Sequence, residues 1–161
     1  MHFSININPR LAGIAIFLLP LLGQAQTPPV YTITTIAGTI PATGTTTPIS
    51  GYTGDAGPAT SAELNGPSSV VLDSKGNLYI ADQTNNVIRK VSGGNISTVA
   101  GTITAGYSGD GGPATSALIN FPDSLAVDSK GNFYFSDVQN GVIRMVNARS
   151  EERRVGKECR L

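Results

Sequence analysis

A stretch of 41 residues is written twice in this chain. Gly51–Val91 (GYTGDAGPATSAELNGPSSVVLDSKGNLYIADQTNNVIRKV) returns in register 55 residues later as Gly106–Val146 (GYSGDGGPATSALINFPDSLAVDSKGNFYFSDVQNGVIRMV), and 25 of the 41 aligned positions are identical. Self-similarity at such a period marks a repeat architecture, in which one supersecondary unit buries its apolar surface only against a sibling. The duplication constrains fold far more than activity, because scaffolds of this kind carry many functions.

Within each copy the pattern is one of short strands. In the first, Ser69–Leu72 (SVVL), Leu78–Ala81 (LYIA), Val87–Val91 (VIRKV) and Ile96–Ala100 (ISTVA) are separated by the turns Asp73–Asn77, Asp82–Asn86 and Ser92–Asn95. Gly76 supplies the positive φ that the first of these turns needs. The turns are too short for a crossover, so consecutive strands pair antiparallel. Four-stranded meanders in tandem are the blades of a β-propeller. The expected fold is therefore all-β: a partial β-propeller of about two four-stranded antiparallel blades. A further match to the fourth strand, Ile33–Ala37 (ITTIA), precedes the first copy. The first two strands are apolar on both faces, Val70 and Leu72 opposing Val71, and Leu78 and Ile80 opposing Tyr79 and Ala81, which calls for cover on both sides of the sheet. The long polar excursions Thr39–Pro67 and Thr102–Pro122 join fourth strands to first strands. Pro58 and Pro113 suit the first turn of a helix, so short helical turns are expected at Pro58–Leu64 and Pro113–Ile119, ending at Asn65 and Asn120.

The two ends differ from the rest. Arg10 followed by the apolar run Leu11–Gly23, too short for a membrane span, and then Gly23-Gln24-Ala25 has the form of a cleavable export signal over residues 1–25, with an uncleaved short anchor as the alternative. The mature chain is then expected to begin at Gln26 and to be secreted, extracellular or periplasmic. Residues 149–161 (RSEERRVGKECRL) hold eight charged residues in thirteen. They resemble a translated sequencing adapter joined to a truncated frame; a natural, solvated, disordered tail is the alternative.

Setting both ends aside changes the charge balance. Of 11 basic residues, one lies in the leader and five in the tail; of 11 acidic residues, three lie in the tail. Gln26–Ala148 thus carries 5 basic against 8 acidic residues over 123 positions, a net charge of −3. Such a surface offers no basic patch for nucleic acid. The single cysteine, Cys159, lies in the tail and the single histidine, His2, in the leader. Disulfides, a Ser-His-Asp triad and histidine metal sites are therefore excluded from these blades. GYSGDGG also lacks the lysine of a phosphate-binding loop.

The segment PSSVVLDSKGNLYIADQTNNVIRKV, Pro67–Val91, and its counterpart Pro122–Val146 resemble the NHL repeat. The linking ISTVAGT…GYSGDGGPATSA is similar to the version in secreted bacterial NHL proteins and in teneurin-like propellers. The resemblance spans Ile33–Asn147. It implies a propeller acting as a binding or interaction scaffold for a protein or a glycan. The alternative it also carries is a fragment of a propeller enzyme, lyase or lactonase-like, with a metal in the central channel. Even a four-bladed ring needs roughly 220 residues at this period, so missing blades are expected to be needed to close it. Truncation explains the shortfall; assembly of several two-blade chains into one ring is the alternative.

The residues with chemical potential recur in pairs. Alternating strand directions bring the fourth-to-first excursion and the second-to-third turn to one rim, so Asp55, Asp82, Asp110 and Asp137 are expected on one face. They are candidates for a calcium or polar-ligand rim, because hard cations take carboxylates; bonding backbone N–H groups of their own loops is the plainer role. Calcium is the one cofactor these residues suggest. Tyr52 and Tyr107, beside the glycine loops, either stack on a ligand with Asp55 and Asp110 or cover the outer end of a blade. Arg89 and Arg144 in the third strand fit stems packed along the sheet with an ion pair to a neighbouring acid. No residue stands out as catalytic, since a repeated residue serves each blade whereas a true site breaks the repeat.

Overall fold

A computed structural model describes residues 31–41 and 49–148. The export signal expected over residues 1–25 and the foreign tail expected over 149–161 lie outside the described residues. The chain divides into two units, Met1–Ile33 and Thr34–Leu161. Of the first, only the exposed strip Tyr31–Ile33 is described, and it has no regular structure. All elements below belong to the second.

Seven strands form two antiparallel sheets. The first has the order β1 (Pro67–Leu72), β2 (Leu78–Asp82), β3 (Val87–Ser92), β4 (Asn95–Gly101), and the second β5 (Pro122–Val127), β6 (Phe133–Asp137), β7 (Val142–Val146). Each is a simple meander, four strands in the first copy and three in the second. Together they are a partial β-propeller. The turns follow from their side chains. Asp73 Oδ1 accepts the N–H groups of Lys75 and Asn77, both at 2.9 Å, while Gly76 takes φ +80°. Asp128 repeats the device with Lys130, Asn132 and Gly131. The next turn is a 3-10 turn closed by a left-handed residue, Asn86 in one copy and Gly141 in the other.

Register decides which faces meet. Leu78, Ile80 and Asp82 on β2 lie beside Val91, Arg89 and Val87 on β3; Tyr79 and Ala81 lie beside Lys90 and Ile88 on the opposite face. The second of these faces packs on the other sheet. Tyr79, Ala81, Ile88 and Ala100 form one cluster with Ile119, Phe133 and Phe135, and the Tyr79 and Phe133 ring centroids are 5.0 Å apart. Each large side chain enclosed here contributes about 1.5–3 kcal/mol. The first face is covered by its own preceding loop: Ala59 and Ala62 seat on Ile80, Val91 and Ile96, with Ala37 and Leu64 at the edge. Cross-sheet bonds tie the innermost strands, from the Ser68 hydroxyl to the Pro122 carbonyl and from the Leu125 N–H to the Ser69 hydroxyl.

Three expectations are corrected. The loop helices are single 3-10 turns, Ala59–Ser61 and Ala114–Ser116, with the backbone extended again at Ala62 and Ala117. In the first copy the loop is held by sheet-like bonds instead: Pro58 bridges Asn95, and the Ala59 N–H donates to Gly94 O. Ile33–Ala37 is not a strand, because no described strand lies beside it. Val70 and Leu72 are exposed, 60% and 62%, since the covering loop reaches Leu78 and Ile80 but not the innermost strand.

Candidate binding rim

An arginine organises each copy's loop. Arg89 projects from β3 on the loop-covered face and is fully enclosed. Its Nη1 donates to Glu63 O at 2.9 Å; its Nη2 donates to Thr53 O at 2.9 Å and Asp55 Oδ1 at 2.7 Å. The guanidinium thus fastens the start and end of a glycine-rich loop to the sheet, and its planar fork suits two diverging acceptors. The Tyr52 ring lies over the guanidinium at 5.3 Å. The Tyr52 hydroxyl donates to Asp55 Oδ2 at 3.2 Å and sits 2.8 Å from Thr98 Oγ1 on β4.

The second copy repeats the unit. Arg144 Nη1 donates to Leu118 O, and its Nη2 to Ser108 O and Asp110 Oδ1, at 2.8, 2.9 and 2.6 Å. Tyr107 lies 5.3 Å over its guanidinium and donates to Asp110 Oδ2 at 3.0 Å. No fourth strand stands beside this loop among the described residues, and it is more open: Asp110 is 65% exposed against 40% for Asp55.

Two of the four aspartates expected on the rim lie buried behind it, against the same guanidinium groups. Asp82 and Asp137 are fully buried. Asp82 accepts the N–H of Asn65 at 2.7 Å and the Asn85 amide at 2.9 Å, and lies 3.9 Å from Arg89 Nη1. Asp137 accepts the Asn120 N–H at 2.8 Å and lies 3.5 Å from Arg144 Nη1. Each anchors the end of its excursion, 17 residues upstream, rather than its own turn alone. Asp55, Asp110, Tyr52 and Tyr107 do stand together on the outside of their loops, one pair per copy. Arg89 and Arg144 are ion-paired stems along the sheet, as the sequence suggests. Asn85 and Asn140, which sequence reading passes over, donate to Gly51 O and Gly106 O and pin the loop starts. Their recurrence in both copies was the available signal.

The electrostatics separate the two kinds of aspartate. Burial pushes the Asp82 carboxyl above its ordinary range, and the Asn85, Asn65 and Arg89 contacts only partly oppose it. At Asp55 burial acts the same way, but the Arg89, Thr98 and Tyr52 contacts outweigh it and hold the group below that range. The Tyr107 hydroxyl and Arg144 hold Asp110 down likewise, and the same bond to Asp110 raises the Tyr107 phenol. The rim is thus anionic, with Arg89 enclosed and Arg144 mostly covered behind it. Among the described residues no three histidine, cysteine or carboxylate side chains converge on one point. No helix among them is long and apolar enough to cross a membrane.

No family model and no curated protein matches the chain. Solved structures do. A Bacteroides thetaiotaomicron protein of unknown function is 28% identical over 52% of this chain and 22% of its own length, with a TM-score of 0.49. An auxiliary nutrient binding protein from the same organism is 22% identical over 59% of this chain and 25% of its own, with a TM-score of 0.47. Virginiamycin B lyase from Staphylococcus aureus is 17% identical over 52% and 27%, with a TM-score of 0.33. The chain spans about a quarter of the length of these structures.

Proposed function

We propose that this chain is part of an exported NHL-type propeller that serves as a binding platform, with a glycan or protein seated over the rim at Tyr52, Asp55, Tyr107 and Asp110. One observation carries the reading: in both copies the tyrosine and aspartate face outward from the arginine that positions them, which is enclosed at Arg89 and mostly covered at Arg144. Such a pair is already ordered, so a ligand does not have to immobilise it. An aromatic face beside a carboxylate suits a sugar ring, which stacks its C–H face and donates hydroxyls. Export rests on the leader-like residues 1–25, and the propeller's remaining blades would supply the rest of the rim.

The test is titration of the isotope-labelled chain with cello-, malto- and chito-oligosaccharides, following amide shifts. Binding is expected to move the Gly51–Asp55 and Gly106–Asp110 amides and to be lost in Tyr107→Ala. Should none of the sugars bind, and should affinity capture of proteins be the same for the parent chain and for Tyr107→Ala, the rim has no recognition role. Calcium chloride added to the same sample examines the cation reading: an unchanged melting temperature removes Asp55 and Asp110 as calcium ligands.

A further inference from the structure

A phenylalanine stands where the backbone asks for glycine. Phe121 leads into β5 at φ +59°, and Gly66, its counterpart ahead of β1, has φ +61°. The left-handed region suits glycine and tolerates asparagine, whereas a bulky aromatic residue there is a steric outlier. Among the described residues two other non-glycine positions share it, Ala56 and Asn86. Ala56 carries only a methyl group, and Asn86 is of the tolerated type, its Oδ1 accepting the Phe121 N–H at 3.0 Å. Phe121 is not enclosed in return for its strain: it belongs to neither apolar cluster and is 38% exposed. Backbone strain of this kind gathers at sites of function.

Two neighbours depart from the first copy at the same place. Val138 opens the turn after β6 where the first copy has Gln83, and it is 48% exposed. Its N–H donates to Phe121 O at 3.3 Å, so the two apolar side chains start from adjoining backbone. Asp123, half-buried, stands where the first copy has Ser68. Pro122 pairs with Asp137, which puts these residues at one end of the second sheet. The setting of Phe121 is described on both sides, since Asn86 of the first sheet bonds its N–H and Val138 of the second bonds its carbonyl. No described cation stands at this end. Of the five basic residues among the described ones, Arg89 and Arg144 are bonded within their loops, and Lys90 lies 5.6 Å over the Tyr79 ring. Lys75 and Lys130 sit in the turns at the opposite end of the strands.

We propose that Phe121, Val138 and Asp123 form a recognition site for a polypeptide segment that carries a large apolar side chain beside a lysine or arginine. The apolar side chain lies on Phe121 and Val138, and the cation meets Asp123. Charge selects the partner, because an apolar patch edged by a carboxylate, with no cation at that end, attracts a basic segment and repels an acidic one. Aromatic anchors carry much of the energy of such contacts, and a ring on a fixed backbone loses little freedom on binding. A sugar suits the spot less well, since Val138 offers neither a flat face nor a hydrogen bond. The site does not rest on the tyrosine–aspartate pairs: β6 separates β5, which Phe121 leads into, from β7, which carries Arg144.

The test is a titration of the isotope-labelled full chain with end-blocked peptides, followed by amide shifts. Gly-Gly-Leu-Lys-Gly-Gly and Gly-Gly-Phe-Arg-Gly-Gly are compared with Gly-Gly-Leu-Glu-Gly-Gly and Gly-Gly-Ser-Lys-Gly-Gly. The first two are expected to move the Phe121, Asp123 and Val138 amides and to bind about threefold or more tighter than the Leu-Glu peptide. Phe121→Gly, which places the first copy's own residue there, is expected to weaken them about tenfold. Phe121→Asn, which also tolerates this φ, is expected to do the same. Asp123→Ser is expected to remove the preference for Leu-Lys over Leu-Glu, and Tyr107→Ala to change nothing. Absence of shifts at Phe121 and Val138 at millimolar peptide overturns the proposal. So does equal binding of the Leu-Glu or Ser-Lys peptide, or binding retained in both Phe121 variants. Loss in Tyr107→Ala with retention in Phe121→Gly puts the peptide on the tyrosine–aspartate pair, which overturns this proposal and leaves that reading standing. Failure of every sugar, with the Leu-Lys shifts at Phe121 intact, does the reverse.

Discussion

Arg89 and Asp55 bond at 2.7 Å across 34 residues of sequence, one fully enclosed and the other at the surface. Arg144 and Asp110 repeat the pair at the same separation. The bond makes a flexible glycine loop a fixed part of the blade, because the same guanidinium also holds the Thr53 and Glu63 carbonyls. Arg89 Nε is enclosed without a partner, so the fork is held by its outer nitrogens.

Removing that arginine should cost far more than removing its exposed partner. Arg89→Met leaves Asp82 buried without its cation and two carbonyls without donors, for a loss of about 3–5 kcal/mol. Asp55→Asn removes only a surface-accessible charge and should cost less than about 1 kcal/mol. Urea unfolding midpoints of the two variants check the ordering; comparable losses would show that Arg89 is not the organising residue.

The two sheets should be unequal in what they tolerate. Ile88 is buried between them, whereas Ile143 at the matching position of the second copy is 73% exposed. Ile88→Ala should lower stability by about 2–5 kcal/mol, and Ile143→Ala should change it by about 0.5 kcal/mol or less. Urea unfolding of the two variants measures the difference.

Gly101 closes β4 at φ +87°, and a Cβ there would meet the Asn86 carbonyl oxygen and, at 3.0 Å, Val87 Cα and Ile119 Cδ1. Backbone cannot yield as a side-chain tip can, so Gly101→Ala should cost well over 1 kcal/mol, about 2–3 by the usual scale of such strain. Gly93→Ala has positive φ but open space and should cost about 1 kcal/mol. Thermal melts of the pair separate backbone strain from collision.

Acid should destabilise the fold through its turns and loops. Asp55 and Asp73 are held low by their contacts despite burial; Asp110 and Asp128 are held low chiefly by Tyr107 and Asn132. A carboxyl lowered on folding contributes stability above its unfolded value, near 3.8, and loses it as pH falls through the folded value. Asp82, raised by burial, acts in the opposite sense, its contribution growing as pH falls. The melting temperature should therefore hold through mildly acidic pH and drop below about pH 4. Asp128→Asn should flatten that drop, as a thermal-melt pH series would reveal.

The strands and turns were legible because their causes are local. Short apolar runs between short turns specify antiparallel meanders, and Asp73-Ser74-Lys75-Gly76-Asn77 carries both the carboxylate that binds the turn's N–H groups and the glycine that allows its φ. The loop helices were misread because Pro58 at a helical start is only a permission; the bridge from Pro58 to Asn95 makes the segment part of a sheet. The aspartates looked alike in sequence, yet Asp82 and Asp137 are buried and Asp55 and Asp110 are not. Chain order by itself determined that there are two homologous antiparallel units and where their strands run, because hydrophobic period and turn chemistry act over a few residues. Only the folded arrangement decided which face of each sheet is covered and which aspartate meets water. Those outcomes depend on contacts between segments tens of residues apart, and a repeated sequence carries the same letters whether its neighbour is present or not.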